Sequence, residues 1–406
     1  MSTPGTAKKV LHVGKYFPPY VGGMETYLHD LMRALAALGI RSSALVHRSR
    51  LSLHSSEESL PAGSQSLLIT RAATWGRLLF TPISPGFPLL LHRLIKRDQP
   101  DILHLHLPNP SAFWALALPS ARRLPWVIHW HSDVLTSGSH WLLRFAYWFY
   151  SPLESALLKN AASVVVSSPP YLETSKPLSR VTHKCAVIPL GIEDRFSDSP
   201  QSDPQNDPTI AATSEVKTGS AAAGTLNVVA IGRMAHYKGF DILLRAIAQS
   251  EGITLDLVGH GELFGSLQRL ADSLDLSARV RFHGLLDDTA KDDLLSRCDC
   301  LCLPSTDRTE AFGVVLLEAM SAGKACVVSD VEGSGMSWLV EDGKTGLVTP
   351  THDVGGLASS LCRLRDDPDL AATLGQNGRE KFLGALTIAA SAEAVRDLYH
   401  SLAPTG

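Results

Sequence analysis

Apolar and polar residues alternate with two different periods along the first half of the chain. Val10-Leu-His-Val-Gly14 is a short run of the kind a parallel sheet buries. Phe17-Pro-Pro-Tyr-Val-Gly-Gly23 has loop chemistry, and Met24 to Leu38 carries apolar residues at helical spacing. This predicts a strand, a glycine turn and a helix in succession. Further strands are predicted at Ile102 to Leu107, Trp126 to Trp130 and Val164 to Ser167, with a helix at Ala112 to Leu118. Alternating strands and helices argue for a parallel sheet.

Between Ser197 and Gly224 the pattern collapses into SDSPQSDPQNDPTIAATSEVKTGSAAAG, which has almost nothing to bury. The α/β rhythm then restarts, with strands predicted at Leu226 to Ile231, Ile253 to Val258, Val280 to Phe282, Cys300 to Leu303 and Ala325 to Ser329. Two doubly wound, Rossmann-like α/β halves are therefore expected, at residues 1–195 and 225–385. A flexible linker or inserted loop joins them at 196–224, and a C-terminal helix at 386–406 packs back toward the first half. The halves meet near Pro189-Leu-Gly191, and ligands belong in the crevice outside the carboxyl ends of the strands.

The second half carries the more specific chemistry. Gly232-Arg233-Met-Ala-His-Tyr-Lys238-Gly239 lies between a strand and the helix predicted at Phe240 to Ala248. Small residues let the backbone approach an anion, a helix start offers free N–H groups, and two cations add charge-assisted bonds. No Gly-Lys-Ser/Thr follows, so this is not a P-loop. An ordinary turn with two exposed cations is the plain alternative.

Glu310-Ala-Phe-Gly-Val-Val-Leu-Leu-Glu318 places two glutamates around a loop-to-helix junction. Counted from Gly313, Glu318 falls in the second turn of a helix whose Val314, Val315, Leu317 and Met320 suit burial. An unpaired buried carboxylate is costly, so Glu318 needs a polar partner, for which a ribose diol is a candidate. Glu310, before the helix start, can accept hydrogen bonds from sugar hydroxyls while the amides of Phe312, Gly313 and Val314 face a diphosphate.

Composition narrows the class. At 406 residues, 45% hydrophobic and 19% charged, the chain exceeds one comfortable core, and two domains are expected. No apolar run approaches the roughly 18 to 20 residues of a bilayer span, and Met1 to Lys9 lacks the apolar core of a signal peptide. A cytoplasmic address follows. Six cysteines do not make a disulfide framework, and Cys298, Cys300 and Cys302 alternate as on a buried strand.

Net charge is -3, yet residues 1–195 hold 20 of the 37 Lys+Arg and only 11 of the 40 Asp+Glu, so +9 stands against -12. A basic half fits an anionic membrane surface or a diphosphate-linked acceptor. The densely aromatic Trp141 to Tyr150, with Arg144, Lys96-Arg97 and Arg122-Arg123, is either a membrane seat or, by the stronger reading, a core helix. His104, His106, Pro108, Asn109 and Pro110 close one strand, and Ser167, Ser168 and Tyr171 close another. Both sets suit an acceptor side and equally suit structural strand ends.

At this point the chain resembles the retaining glycosyltransferases of family 4. The likeness rests on Gly22-Gly-Met-Glu25, His131-Ser-Asp133, Ile188-Pro-Leu-Gly-Ile192, Gly232-Arg233 with Lys238-Gly239, Val258-Gly-His-Gly-Glu262, His283-Gly284 and the glutamates 310 and 318. It implies a GT-B fold, two Rossmann-like domains facing each other across a cleft, with the acceptor on the first and the nucleotide sugar on the second. Arg233 and Lys238 would hold the donor diphosphate, Glu318 the ribose and Glu310 the sugar hydroxyls. Gly259 and His283, Gly284 and Leu285 would line the base. Gly22 and Gly23 would let the first loop close on diphosphate and sugar, and His131 would face the reacting centre, although a lone histidine beside Trp130 is more often packed or capping.

The implied chemistry is retention at the anomeric carbon, with the departing charge stabilised by Arg233, Lys238 and the Gly313 helix start. No metal and no cofactor are expected. An Asp-x-Asp motif at a strand end is lacking, and Asp367-Pro-Asp369 reads as a helix cap. The His-Ser-Asp stretch and Glu332-Gly-Ser-Gly-Met336 look most like bacterial mannosyl- and rhamnosyltransferases of O-antigen or exopolysaccharide synthesis. The expected donor is thus GDP-mannose or GDP-rhamnose, the acceptor a lipid-linked glycan or oligosaccharide, and no nucleic acid is a partner. A UDP-hexose donor is the runner-up. A sugar-nucleotide epimerase on the same architecture is the alternative from another class.

Overall fold

The structure, a computed structural model, describes residues 8–20, 22–78, 81–134, 141–197 and 224–402, without the side chains of 141–144. The linker expected at 196–224 lies outside the described residues except at its two ends. The described chain forms two compact units. The first comprises residues up to Glu193, Glu332–Gly335 and everything from Ala385 onward, and the second Asp194–Val331 and Met336–Gly384.

The first unit holds an eight-stranded sheet and a small hairpin. Its strands are β1 (Lys9–Val13), β2 (Arg41–His47), β3 (Ser56–Ala62), β4 (Gln65–Ala72), the hairpin pair β5 (Gly76–Leu78) and β6 (Thr81–Ile83), β7 (Ile102–Leu107), β8 (Trp126–Trp130), β9 (Ser163–Val166) and β10 (Cys185–Val187). The sheet runs β10-β9-β8-β7-β1-β2-β4-β3, parallel except for β3. Every residue of β7, β8 and β9 is buried, the signature of a parallel sheet covered on both faces.

The Gly23–Ala37 helix covers this sheet through Leu28, Leu31, Met32 and Leu35. The C-terminal helix Ile388–Ser401 lies beside it, with Tyr27 Oη and Ser391 Oγ 2.9 Å apart. The helix expected at Ala112 to Leu118 is broken into a 3-10 turn, Pro110–Phe113, and a single turn, Trp114–Ala117. Leu118 is extended because the ring of Pro119 excludes helical geometry in the residue before it.

The core-helix reading of Trp141 to Tyr150 is overturned. In the helix Trp141–Asn160, Phe145, Trp148, Phe149 and Leu153 are exposed, Trp148 at 69%. Their spacing of three, four and eight residues sets them on one helix face.

The second unit is a six-stranded, all-parallel sheet of β11 (Leu226–Ile231), β12 (Ile253–Val258), β13 (Val280–Gly284), β14 (Cys300–Leu303), β15 (Ala325–Asp330) and β16 (Gly346–Pro350). Its order is β13-β12-β11-β14-β15-β16, which counted within the unit is 3-2-1-4-5-6, the dinucleotide-binding order. Chain direction across the sheet reverses between β11 and β14, so that is where a ligand crevice forms. Cys300 and Cys302 are fully buried in β14, and burial pushes both thiols up, leaving them inert. Asp367 Oδ1 accepts from the Leu370 amide at 2.9 Å, so Asp367 caps the Pro368–Ala385 helix as expected.

Candidate active site

The ends of β11 and β14 supply the charged residues of the second unit. After β11 the chain passes through Gly232 and a 3-10 turn, His236–Lys238, to Gly239, which caps the Phe240–Ala248 helix at φ +64°. A Cβ on Gly239 would sit 2.1 Å from the Pro304 carbonyl oxygen, so glycine is required both by backbone angle and by the closeness of the loop after β14. That closeness joins the two motifs. Lys238 Nζ lies 2.5 Å from Glu310 Oε2, with both side chains nearly buried, and Ser305 Oγ donates to the same oxygen at 3.3 Å. Burial by itself lowers the Lys238 ammonium, but the Glu310 carboxylate outweighs it and the net shift is upward.

Glu318 occupies a second cluster. It lies in the Val314–Ser321 helix, whose N-cap Gly313 has φ +85°. Its Oε1 accepts from Lys291 Nζ at 2.8 Å, and Arg195 Nη2 is 3.6 Å away. Arg195 also pairs with Asp288 and Asp292. The polar partner demanded by Glu318 is therefore first of all protein, although Oε2 is buried with no hydrogen-bond partner and retains acceptor capacity.

The remaining second-unit candidates are placed less uniformly. Arg233 is 64% exposed and pairs with Glu262 at 3.1 Å. Gly259, at φ +131°, would put a Cβ 1.9 Å from the Gly232 carbonyl oxygen, so the strand ends themselves demand glycine there. His283 Nε2 is 2.6 Å from Asp256 Oδ1, Gly284 has φ +67°, and Leu285 is 82% exposed. Phe312 is buried, and Val314 is half-buried.

In the first unit, Gly22 caps the Gly23–Ala37 helix in extended conformation, and a Cβ there would lie 2.3 Å from Glu25 Oε2. A Cβ on Gly23 would meet nothing within 4 Å. Glu25 folds back over the helix start, and burial raises its carboxyl. A small cavity there is bordered by Lys15, Glu25 and His106.

His131 is not a lone histidine. Register pairs His12 of β1 with His104 of β7, and His106 with His129 of β8. With His131 these form a block of five buried imidazoles, ring centroids 4.5 to 5.4 Å apart between neighbours. Burial is the first cause that holds all five neutral, taking His12 and His131 down to about 3 and His104, His106 and His129 well below their usual value. His104 Nδ1 lies 2.5 Å from Tyr399 Oη of the C-terminal helix, so His104 packs in the interior and does not line an acceptor surface. His106, His129 and His131 bring nitrogens within 4.8 Å of one another. Their planes lie within 10 to 19° of parallel, so their in-plane lone pairs do not converge on one ion. Asp133 accepts from Trp130 Nε1 at 2.9 Å and Ser175 Oγ at 2.7 Å, which makes it a fastener of the turn after β8.

Residues 22–191 match the glycosyl transferase 4-like domain, and residues 217–381 match the glycosyl transferases group 1 family. The chain belongs to the group 1 glycosyltransferases. The O-antigen chain mannosyltransferase C of Escherichia coli is 29% identical over 399 residues, 97% of this chain and 98% of that one. The D-rhamnosyltransferase WbpZ of Pseudomonas aeruginosa is 29% identical over 377 residues, 92% of this chain and 91% of that one. Among solved structures, the sucrose-phosphate synthase of Thermosynechococcus elongatus superposes with a TM-score of 0.75 at 22% identity, covering 97% and 98% of the two chains. Anabaena HepE, solved with UDP and glucose, gives 0.70 at 21% identity over 97% and 100%. These likenesses show the GT-B fold.

The glycosyltransferase thus brings Lys238 and Glu310, two residues singled out separately in the sequence, into one ion pair, together with residues that no motif signalled. Arg195 and Lys291 read as ordinary surface cations in sequence, and only folding brings them to Glu318. The histidine block did leave a trace, because His104-Leu-His106 and His129-Trp-His131 each set two imidazoles on one strand face.

Proposed function

We propose that this glycosyltransferase is a retaining, metal-independent hexosyltransferase that moves mannose or rhamnose from a GDP-linked donor to a lipid-linked or oligosaccharide acceptor in O-antigen or exopolysaccharide synthesis. The observation that carries the donor site is the buried Lys238–Glu310 pair at the point where strand order reverses. Lys238 and Arg233 neutralise the diphosphate, aided by the amides of Phe312, Gly313 and Val314 at a helix start. Glu310, freed from Lys238 by the arriving anion, accepts from sugar hydroxyls, and Glu318 Oε2 takes a ribose hydroxyl. Gly259, His283, Gly284 and Leu285 border the base. Departure of the diphosphate needs its growing charge stabilised, and these cations and amides supply that without a resident cofactor.

For the first unit the same reading assigns Gly22 and Gly23 to close approach of diphosphate and sugar, and His131 to the reacting centre. Among the described residues outside its own helix, nothing lies within 4 Å of a Cβ on Gly23, which fits a position kept small for a ligand. The choice of mannose or rhamnose rests on the two relatives matched over more than nine-tenths of the chain. The UDP-bound neighbour favours a UDP-hexose as the second donor to test. Among the described residues no helix is long and apolar enough to cross a membrane. The exposed Phe145, Trp148, Phe149 and Leu153 face is assigned to the cytoplasmic surface of an anionic bilayer, where a lipid-linked acceptor resides. Lys96-Arg97 contributes less than its sequence suggests, because Arg97 is held by Glu57 and Asp98.

A thermal-shift panel of GDP, UDP, GDP-mannose, GDP-rhamnose and UDP-glucose tests the donor, since a ligand of the native state raises the melting point by mass action. GDP compounds are expected to give the larger shifts, and a response confined to UDP compounds would reassign the donor. Interconversion of a nucleotide sugar without acceptor would replace the transferase reading with the epimerase.

A further inference from the structure

Three of the five imidazoles form a hydrogen-bonded line. His12 Nδ1 lies 3.2 Å from His106 Nε2, and His106 Nδ1 lies 3.1 Å from His131 Nε2. The rings are held from outside the line as well. Tyr27 sets its edge against His131 at 5.9 Å and 77°, and its hydroxyl is already engaged with Ser391.

A neutral imidazole has one N–H and one bare nitrogen. Each of the two contacts needs one proton between its nitrogens, so a neutral line has only two arrangements. In one, all three rings carry the proton on Nδ1, and His131 Nε2 accepts from His106. In the other, all three carry it on Nε2, and His131 donates inward. The far end distinguishes them. His12 Nε2 is buried and has no hydrogen-bond partner, so the second arrangement strands an N–H donor in the interior. The first leaves only a bare nitrogen there, and orphaned buried N–H groups are the rarer defect.

We propose that His106 and His12 are positioning residues that lock His131 as its Nδ1–H tautomer, so that His131 offers a substrate oxygen a neutral hydrogen-bond donor and not a base. The step involves no bond making to His131: its Nδ1–H donates to an oxygen of the sugar or the departing phosphate, and the proton stays on the ring. A donor there suits a reaction whose demand is stabilisation of developing negative charge. This assignment rests on the placement of His131 at the reacting centre, whereas the tautomer itself is a property of the free chain.

The test is two-bond 15N–1H correlation NMR of the full-length chain labelled with 15N-histidine, with His131→Gln used to assign the signal. His131 is expected protonated on Nδ1 at pH 7.5. In His106→Phe the signal should move toward a tautomer mixture, with kcat lowered about tenfold, on the order of one lost hydrogen bond. KM for the donor should change much less. His106→Asn, whose amide can still donate to His131 Nε2, should restore both readouts. A wild-type His131 protonated on Nε2, or a tautomer unmoved in His106→Phe, overturns the lock. Unchanged kcat in His131→Gln, with the wild-type chain still showing the His131 Nδ1–H signal, would instead overturn the placement of His131 at the reacting centre and leave the lock standing.

Discussion

Lowering the pH from 7.5 to 5.5 should destabilise the first unit through its imidazoles, with only part of the loss offset by the buried Glu154 carboxyl, which burial pushes up to about 7 and which therefore takes up its proton in the native state first. Six imidazoles are involved: the five of the block and His47, which burial, with Lys15 nearby, takes down to about 4. Their folded values lie below the unfolded value of about 6.5, so the native state binds fewer protons than the unfolded chain. Their neutrality costs nothing above pH 6.5, and stability is lost as pH falls from there toward the folded values, about 3 for His12 and His131. At pH 5.5 each ring kept neutral costs about 1.4 kcal/mol. Six give a ceiling of about 8 kcal/mol, comparable to the whole stability of a domain at roughly 5 to 15 kcal/mol. Tryptophan fluorescence isolates the event, because six of the seven tryptophans lie in the first unit. Urea midpoints measured between pH 7.5 and 5.5 should fall steeply. His129→Phe, which removes a ring with both nitrogens buried and unpartnered, should flatten the dependence by about one proton. A flat wild-type curve, or an unaltered slope in His129→Phe, would refute the reasoning.

Four further outcomes follow from the sites. Glu310→Gln strands the Lys238 ammonium in a nearly buried position, so the second unit should lose about 3 to 5 kcal/mol in thermal melts. Turnover should fall about a hundredfold while GDP still binds; wild-type melting and activity would remove Glu310 from the site. Gly259→Ala must crowd the Gly232 carbonyl and should cost at least about 3 kcal/mol in denaturant titrations. Gly23→Ala, which meets nothing, should leave stability within about 0.5 kcal/mol, yet raise the donor KM if a ligand approaches there. Trp148→Ser with Phe149→Ser should weaken co-sedimentation with anionic vesicles at least tenfold, each ring contributing about 1.5 to 3 kcal/mol when buried in lipid. Equal binding by the variant would leave that face without a membrane role.

How far the chain could be read before folding depends on where its chemistry sits. The motifs that carry Lys238 and Glu310 were each legible because each is announced by its own glycine turn, and a turn's sequence reports its backbone directly. That the two carboxylates and cations would neutralise one another across strand ends was not, since pairing Lys238 with Glu310 needs β11 and β14 to be neighbours, and the chain between them visits β12 and β13 first. Arg195 illustrates the same limit more severely: it reaches Glu318 from 123 positions away with no local signature. The strands β2 to β4 went unread because their half-exposed Ser, Glu and Gln residues blur the period of two. The aromatic helix misled for the opposite reason, since an apolar face looks the same in sequence whether protein or another phase covers it.

The histidines combine both cases. His-x-His on two strands fixed which imidazoles share a face, but whether the two pairs met, and whether His12 joined them, depended on a one-residue choice of register. A slip of one position in β8 would send His129 and His131 to the opposite face and dissolve the line from His12 to His131. The register that buries β8 on both faces is therefore also what gives His131 its hydrogen-bond partner, so the packing of the first unit and the protonation of its candidate reacting group are set by the same pairing.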